Sequence, residues 1–189
     1  MMELMDMLFE STTISLILMF SPIVIVFIMS ARINKMSVQS MVLWYVIYSI
    51  LMGMSLSFIF VIYTEASIFK TFLIAASMFG VMAVVGYTTK TDLTKFGSIL
   101  LMALIGVIIA TIVNFFMNSD GLDYIISIVG VLIFTGLTAF DVQKIKQIGN
   151  AGINDGDVMA KITIHAALTL YLDFINLFLY LLRIFGSRD

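Results

Sequence analysis

The chain has 189 residues, 61% of them apolar and 12% charged, with a mean hydropathy of +1.12. An ordinary soluble domain is roughly 45 to 50% apolar and about 25% charged, so this much apolar surface cannot enter one water-soluble core, and a soluble enzyme is excluded. Ten basic and twelve acidic residues, a net charge of -2, leave no basic surface for phosphates and exclude nucleic acid as a partner; the lack of cysteine and the sole His165 exclude disulfides, thiol chemistry and a multi-histidine metal site.

A hydrocarbon core about 30 Å thick needs about 20 mainly apolar residues per helix. Six runs meet or approach that length, at 13–31, 41–63, 71–87, 96–117, 122–140 and 164–185. The runs are continuous rather than alternating, which excludes a β-barrel and predicts one all-α domain over 1–189, a polytopic transmembrane helical bundle. Basic residues gather in alternate connections: Arg32 and Lys35, then Lys90 and Lys95, then Lys144, Lys146 and Lys161. The opposite connections hold Glu65, Asp120 and Asp123 with only Lys70. The positive-inside rule makes the first set cytoplasmic.

This orientation places residues 1–12, with Glu3, Asp6 and Glu10, outside. With no basic residue before Arg32, the first run reads as a mature span rather than a signal peptide. Six spans also carry the C-terminus outside, against which Arg183 and Arg188 count. In the second and third runs, Gly53 with Ser57 and Ala76 with Gly80 form small-xxx-small pairs that suit close helix approach. The 15 Met and 16 Phe read as packing and lipid-facing residues. No internal repeat points to a transporter built from two related halves.

In the fifth run Asp123, Ser127, Thr135, Thr138 and Asp141 fall within an arc of about 120° on a helix. They form a polar face ending in a carboxylate. Asp141 equally suits a cap at the membrane boundary, with Lys144 as a surface partner. The following loop, 149–157, reads GNAGINDGD. Aligning Gly156 with the sixth position of a calcium loop leaves Ile153 and Ala151 at ligand positions, so a solvated connection is expected.

The last run is the most informative. His165, Thr169, Asp173, Asn176, Tyr180 and Arg183 share a face about 80° wide at 100° per residue, a stripe that lipid cannot accommodate. An acid near the centre of a span costs roughly 2.5 to 3.5 kcal/mol unless it faces the bundle interior or water. Asp173 lies close to the middle of its run. If both helices were straight spans, Asp141 would sit at the cytoplasmic interface and Asp173 about nine residues, roughly 13 Å, deeper. The pattern by itself does not pair them.

The stretch 166–186, AALTLYLDFINLFLYLLRIFG, together with TAFDVQKI at 138–145, FSPIVIVF at 20–27 and FGVMAVVGYTTKTDLTKFG at 79–97, closely resembles the transmembrane Bax inhibitor motif family. The resemblance covers nearly the whole chain. It implies outer helices around a central last helix, with the last helix shifted so that Asp141 and Asp173 form a proton-sensitive carboxylate pair. It also implies a pH-sensitive calcium leak pathway, whose eukaryotic relatives suppress cell death and modulate stored calcium. Family members usually have seven helices, and the run containing FSPIVIVF resembles their second, so the family's first helix reads as absent.

The function expected is therefore a pH-sensitive calcium (cation) leak channel with an intramembrane di-aspartate proton sensor. Two carboxylates held together cannot both ionise cheaply and share a proton. Calcium, which prefers oxygen ligands, is the expected transported ion at Asp141 and Asp173, and no cofactor is expected. Arg32 is the candidate counter-ion for Asp141. The alternative is a non-catalytic regulator that binds another membrane protein, as a protease modulator or cell-death suppressor. An intramembrane aspartyl protease would also need two acids, but the Gly-x-Gly-Asp context of its second acid is missing around Asp173. The chain is thus read as no enzyme, with membrane lipid, calcium and protons as partners. It lacks a long N-terminal extension and an endoplasmic-reticulum retrieval tail, and a bacterial plasma membrane is expected.

Overall fold

Helices and short connections account for residues 12–32 and 35–187, the residues described by the computed structural model. The helices are α1 (Thr12–Arg32), α2 (Val38–Leu56), the single turn α3 (Ile59–Ile62), α4 (Glu65–Thr88), α5 (Thr94–Met117), α6 (Asp120–Gly149) and α7 (Gly156–Phe185). Glu3, Asp6, Glu10 and Arg188 lie outside the described residues. Five stretches, Val38–Ile62, Glu65–Thr88, Thr94–Met117, Asp120–Gly149 and Gly156–Phe185, are each long and apolar enough to cross a membrane, and α1 adds 21 residues. The architecture is a polytopic transmembrane helical bundle.

Local chemistry sets the helix ends. Ser37, Thr64 and Ser119 are N-caps whose side chains accept the amides of Ser40, Ser67 and Leu122, each satisfying a donor that the first turn leaves unbonded. Asn118 ends α5 in the left-handed region, φ 48°, so only Asn118 and Ser119 separate α5 from α6. Asp120 and Asp123 in the first turn of α6 complement its dipole. Asp155 accepts the amides of Asp157 and Val158 through Oδ1, at 2.9 and 3.1 Å, and so serves the start of α7.

The chain forms two compact units, Met1–Val61 with Asp155–His165, and Ile62–Asn154 with Ala166–Asp189. In the first, α1 packs on α2, with Ile25, Met29, Met41 and Tyr48 buried. In the second, α6 packs on both α4 and α5. Phe174 of α7 meets Phe72 and Phe79 of α4 edge-on, each at 5.6 Å between ring centroids. Half of the apolar stretch of α6 and 39% of that of α7 is buried, against 17% for α4 and 11% for α5. The last helix thus shares the interior with α6, while Ile105, Ile109, Ile112 and Phe116 of α5 stay exposed, as lipid-facing residues do when lipid is as apolar as a core.

Close helix approach occurs at different small residues from those the sequence suggested. Gly53 and Gly80 are exposed with nothing within 4 Å of a would-be Cβ. Tight positions include Gly86, where a Cβ would overlap the Ala139 backbone of α6, and Gly130, where it would lie 2.7 Å from the Tyr180 ring of α7. Spacing marks a small residue, but only a neighbouring helix makes it a contact.

With the positive-inside rule, reporters fused at Lys35, Lys90 and Gly152 are expected to read out as cytoplasmic and one at Gly121 as external. A cytoplasmic signal at Gly121 overturns the orientation.

Candidate functional site

The α6 and α7 helices of the second unit run antiparallel, and their contacts give the register. Near the start of α6, Asp123 Oδ1 lies 3.4 Å from Arg183 near the end of α7. Further along, Tyr180 fits over Gly130 and stacks on Phe134, with ring centroids 5.9 Å apart. Continuing in the same sense, Asp141 meets Asp173: their carboxyl groups are in side-chain hydrogen-bonding contact. Asp173 is 4% exposed, and its Oδ2 is buried with no hydrogen-bond partner. Asp141 is half-buried.

The two acids, separated in depth by the apolar runs, meet because α7 is displaced along α6: the register that sets Asp123 beside Arg183 and Gly130 beside Tyr180 brings residue 173 level with residue 141. The α6 helix continues to Gly149 and α7 begins at Gly156, so Asp141 stands eight residues, about 12 Å, inside its helix end. Asp141 therefore does not cap the end of its helix, and Lys144 is exposed, with Nζ 6.0 Å from the Phe140 ring centroid.

The polar stripe of α7 serves several tasks. Asn176 turns back to donate to the Leu172 carbonyl of its own helix at 2.7 Å. Arg183 sits 5.5 Å above the Tyr180 ring while pairing with Asp123. Thr169 is half-buried in the second unit, whereas His165 is half-buried in the first. Arg32 ends α1, also in the first unit, with its side chain exposed. On α6, Ser127 and Thr138 are buried, and they and Thr135 donate to the carbonyls four residues back, at 2.6 to 2.8 Å. These hydroxyls are satisfied within the helix, which lets them line an interior without a partner.

Two features escaped the residue pattern. Asp123 and Arg183 stood on separate polar faces, and only the antiparallel register pairs them. Nothing in the residue pattern singles out Gln143, in the TAFDVQKI stretch. It is 7% exposed, and both ends of its amide are bonded to the connection between α4 and α5. In that connection the hydroxyl and the amide of Thr94 donate to Asp92 Oδ1 at 2.6 and 2.9 Å. These bonds, the hydroxyl's first, hold the Asp92 carboxyl below the usual carboxylate range.

Among the described residues, no group of three or more His, Cys, Asp or Glu could hold a metal ion. The Asp141–Asp173 pair offers carboxylate oxygens alone. Calcium takes six to eight oxygen ligands, more than two carboxyl groups supply.

The family model described as Inhibitor of apoptosis-promoting Bax1 matches residues 1–189. The inner membrane protein YbhL of Escherichia coli K12 is 46% identical over 185 residues, covering 97% of this chain and 79% of YbhL. An uncharacterized protein of Borreliella burgdorferi is 51% identical over 164 residues, 87% of this chain and 71% of its own. The uncharacterized protein RP147 of Rickettsia prowazekii is 46% identical over 172 residues, or 91% and 72%. Matched along its whole length, and carrying five long membrane-capable helices, the chain belongs to the Bax inhibitor-like family and is an integral, multi-pass bacterial membrane protein.

Proposed function

We propose that the protein is a pH-sensitive cation leak pathway, with calcium as the transported ion and the Asp141–Asp173 pair as its proton sensor. The observation that carries this reading is a buried carboxyl group on α7 in contact with a second carboxyl on α6. An acid inside a membrane helix is costly and persists where it serves a path or a switch. Two carboxyls in hydrogen-bonding contact hold a proton between them, and its loss leaves two like charges side by side. Those charges either separate, moving α6 against α7, or take up a cation. Calcium suits the site because its preferred ligands are carboxylate and carbonyl oxygens. The test is calcium flux into dye-loaded vesicles across a pH series, comparing wild type with Asp141→Asn and Asp173→Asn. If the protein reconstituted alone passes no calcium at any pH, the pathway reading fails and a regulator acting on another membrane protein takes its place.

A further inference from the structure

A buried carboxamide is costly unless both of its ends are bonded. Gln143 bonds both: Oε1 accepts the Leu93 amide at 2.8 Å, and Nε2 donates to the Thr91 carbonyl at 2.8 Å. One turn on, Lys146 Nζ donates to the Tyr87 carbonyl at 2.6 Å, a cation where the C-terminus of α4 presents unbonded carbonyls. One turn back, the Ala139 backbone fits against Gly86. Three contacts thus fasten residues 139–146 of α6 to α4 and to the 89–93 connection, and Asp141 lies among them. At 100° per residue, Gln143 points about 160° away from Asp141. The same turn is anchored on one side and offers its carboxyl to α7 on the other.

We propose that Gln143 is a positioning residue for the carboxyl pair: by gripping the Thr91–Leu93 segment through both ends of its amide, it fixes where Asp141 stands opposite Asp173. Its effect on flux rests on the pathway reading above, whereas its effect on carboxyl geometry does not. The charged groups around this turn are Lys144 and Lys146 on α6, Lys90 and Asp92 on the connection, Lys95 on α5 and Asp173 on α7. Gln143→Met removes both bonds at similar volume and alters none of these charges.

The experiment uses the purified full chain with Gln143→Met, and Gln147→Ala as a control at an exposed glutamine of the same helix. Two readouts are taken at fixed pH: hydrogen exchange at the Leu93 amide, and the infrared carboxyl bands that Asp141→Asn and Asp173→Asn each remove. Gln143→Met is expected to speed Leu93 exchange roughly tenfold and to shift the carboxyl bands, while Gln147→Ala changes neither. Should Gln143→Met fail to fold, Leu93→Pro deletes the donor from the other side of the same bond, at a φ of -86° close to the value proline imposes, and the same band shift is expected. Unmoved carboxyl bands in whichever variant folds overturn the positioning role. A band shift in a protein whose wild type passes no calcium overturns the pathway reading and leaves the positioning role standing.

Discussion

Calcium flux through vesicles holding Asp141→Asn or Asp173→Asn protein is expected to lose the pH dependence that wild type shows. A single ionisation changes its minor form roughly tenfold per pH unit, so a pathway set by the shared proton should show a steep limb somewhere between about pH 5 and 9. Either substitution breaks the pair. Asparagine keeps the size of the side chain and its capacity to hydrogen bond, so the α6 and α7 contacts at Gly130, Phe134 and Tyr180 remain to hold the helices together. The two variants should therefore behave alike in flux while staying folded. Equal, pH-dependent flux in wild type and both variants would falsify the sensor assignment.

Gly86→Val is expected to be the most damaging single change in the second unit. A side chain there meets the carbonyl oxygen of Ala139, with Cα and C of the same residue at 2.8 and 2.9 Å. A side-chain tip can rotate away from a clash, but helix backbone cannot, so α4 and α6 must separate. Overpacking costs about 1 to 3 kcal/mol where neighbours can adjust, and the upper end or more is expected here. Because Ala139 lies two residues before Asp141, the displacement also carries the carboxyl pair apart. Gly80→Val, on the same helix with open space around it, should change stability by no more than about 0.5 kcal/mol. Thermal unfolding of the two variants in detergent decides the matter: comparable stabilities would mean that α4 and α6 do not meet at Gly86 as described.

The sequence alone determined the class of molecule and its family, because bilayer thickness imposes a length and an apolar composition that can be counted, and because the last run and TAFDVQKI carry a specific resemblance. It also singled out Asp173, since an acid in mid-span has few places to go. The tertiary structure decided how the acids meet. Hydropathy measures where the apolar runs lie and not how two helices slide past each other, so the register in which Asp123 meets Arg183 and Gly130 meets Tyr180 was invisible to it, and that register brings Asp141 level with Asp173. The same limit applies to glycine: Gly80 and Gly86 lie six residues apart on one helix, yet only Gly86 has a backbone against it. A contact belongs to two helices at once, and a pattern along one of them cannot specify its partner.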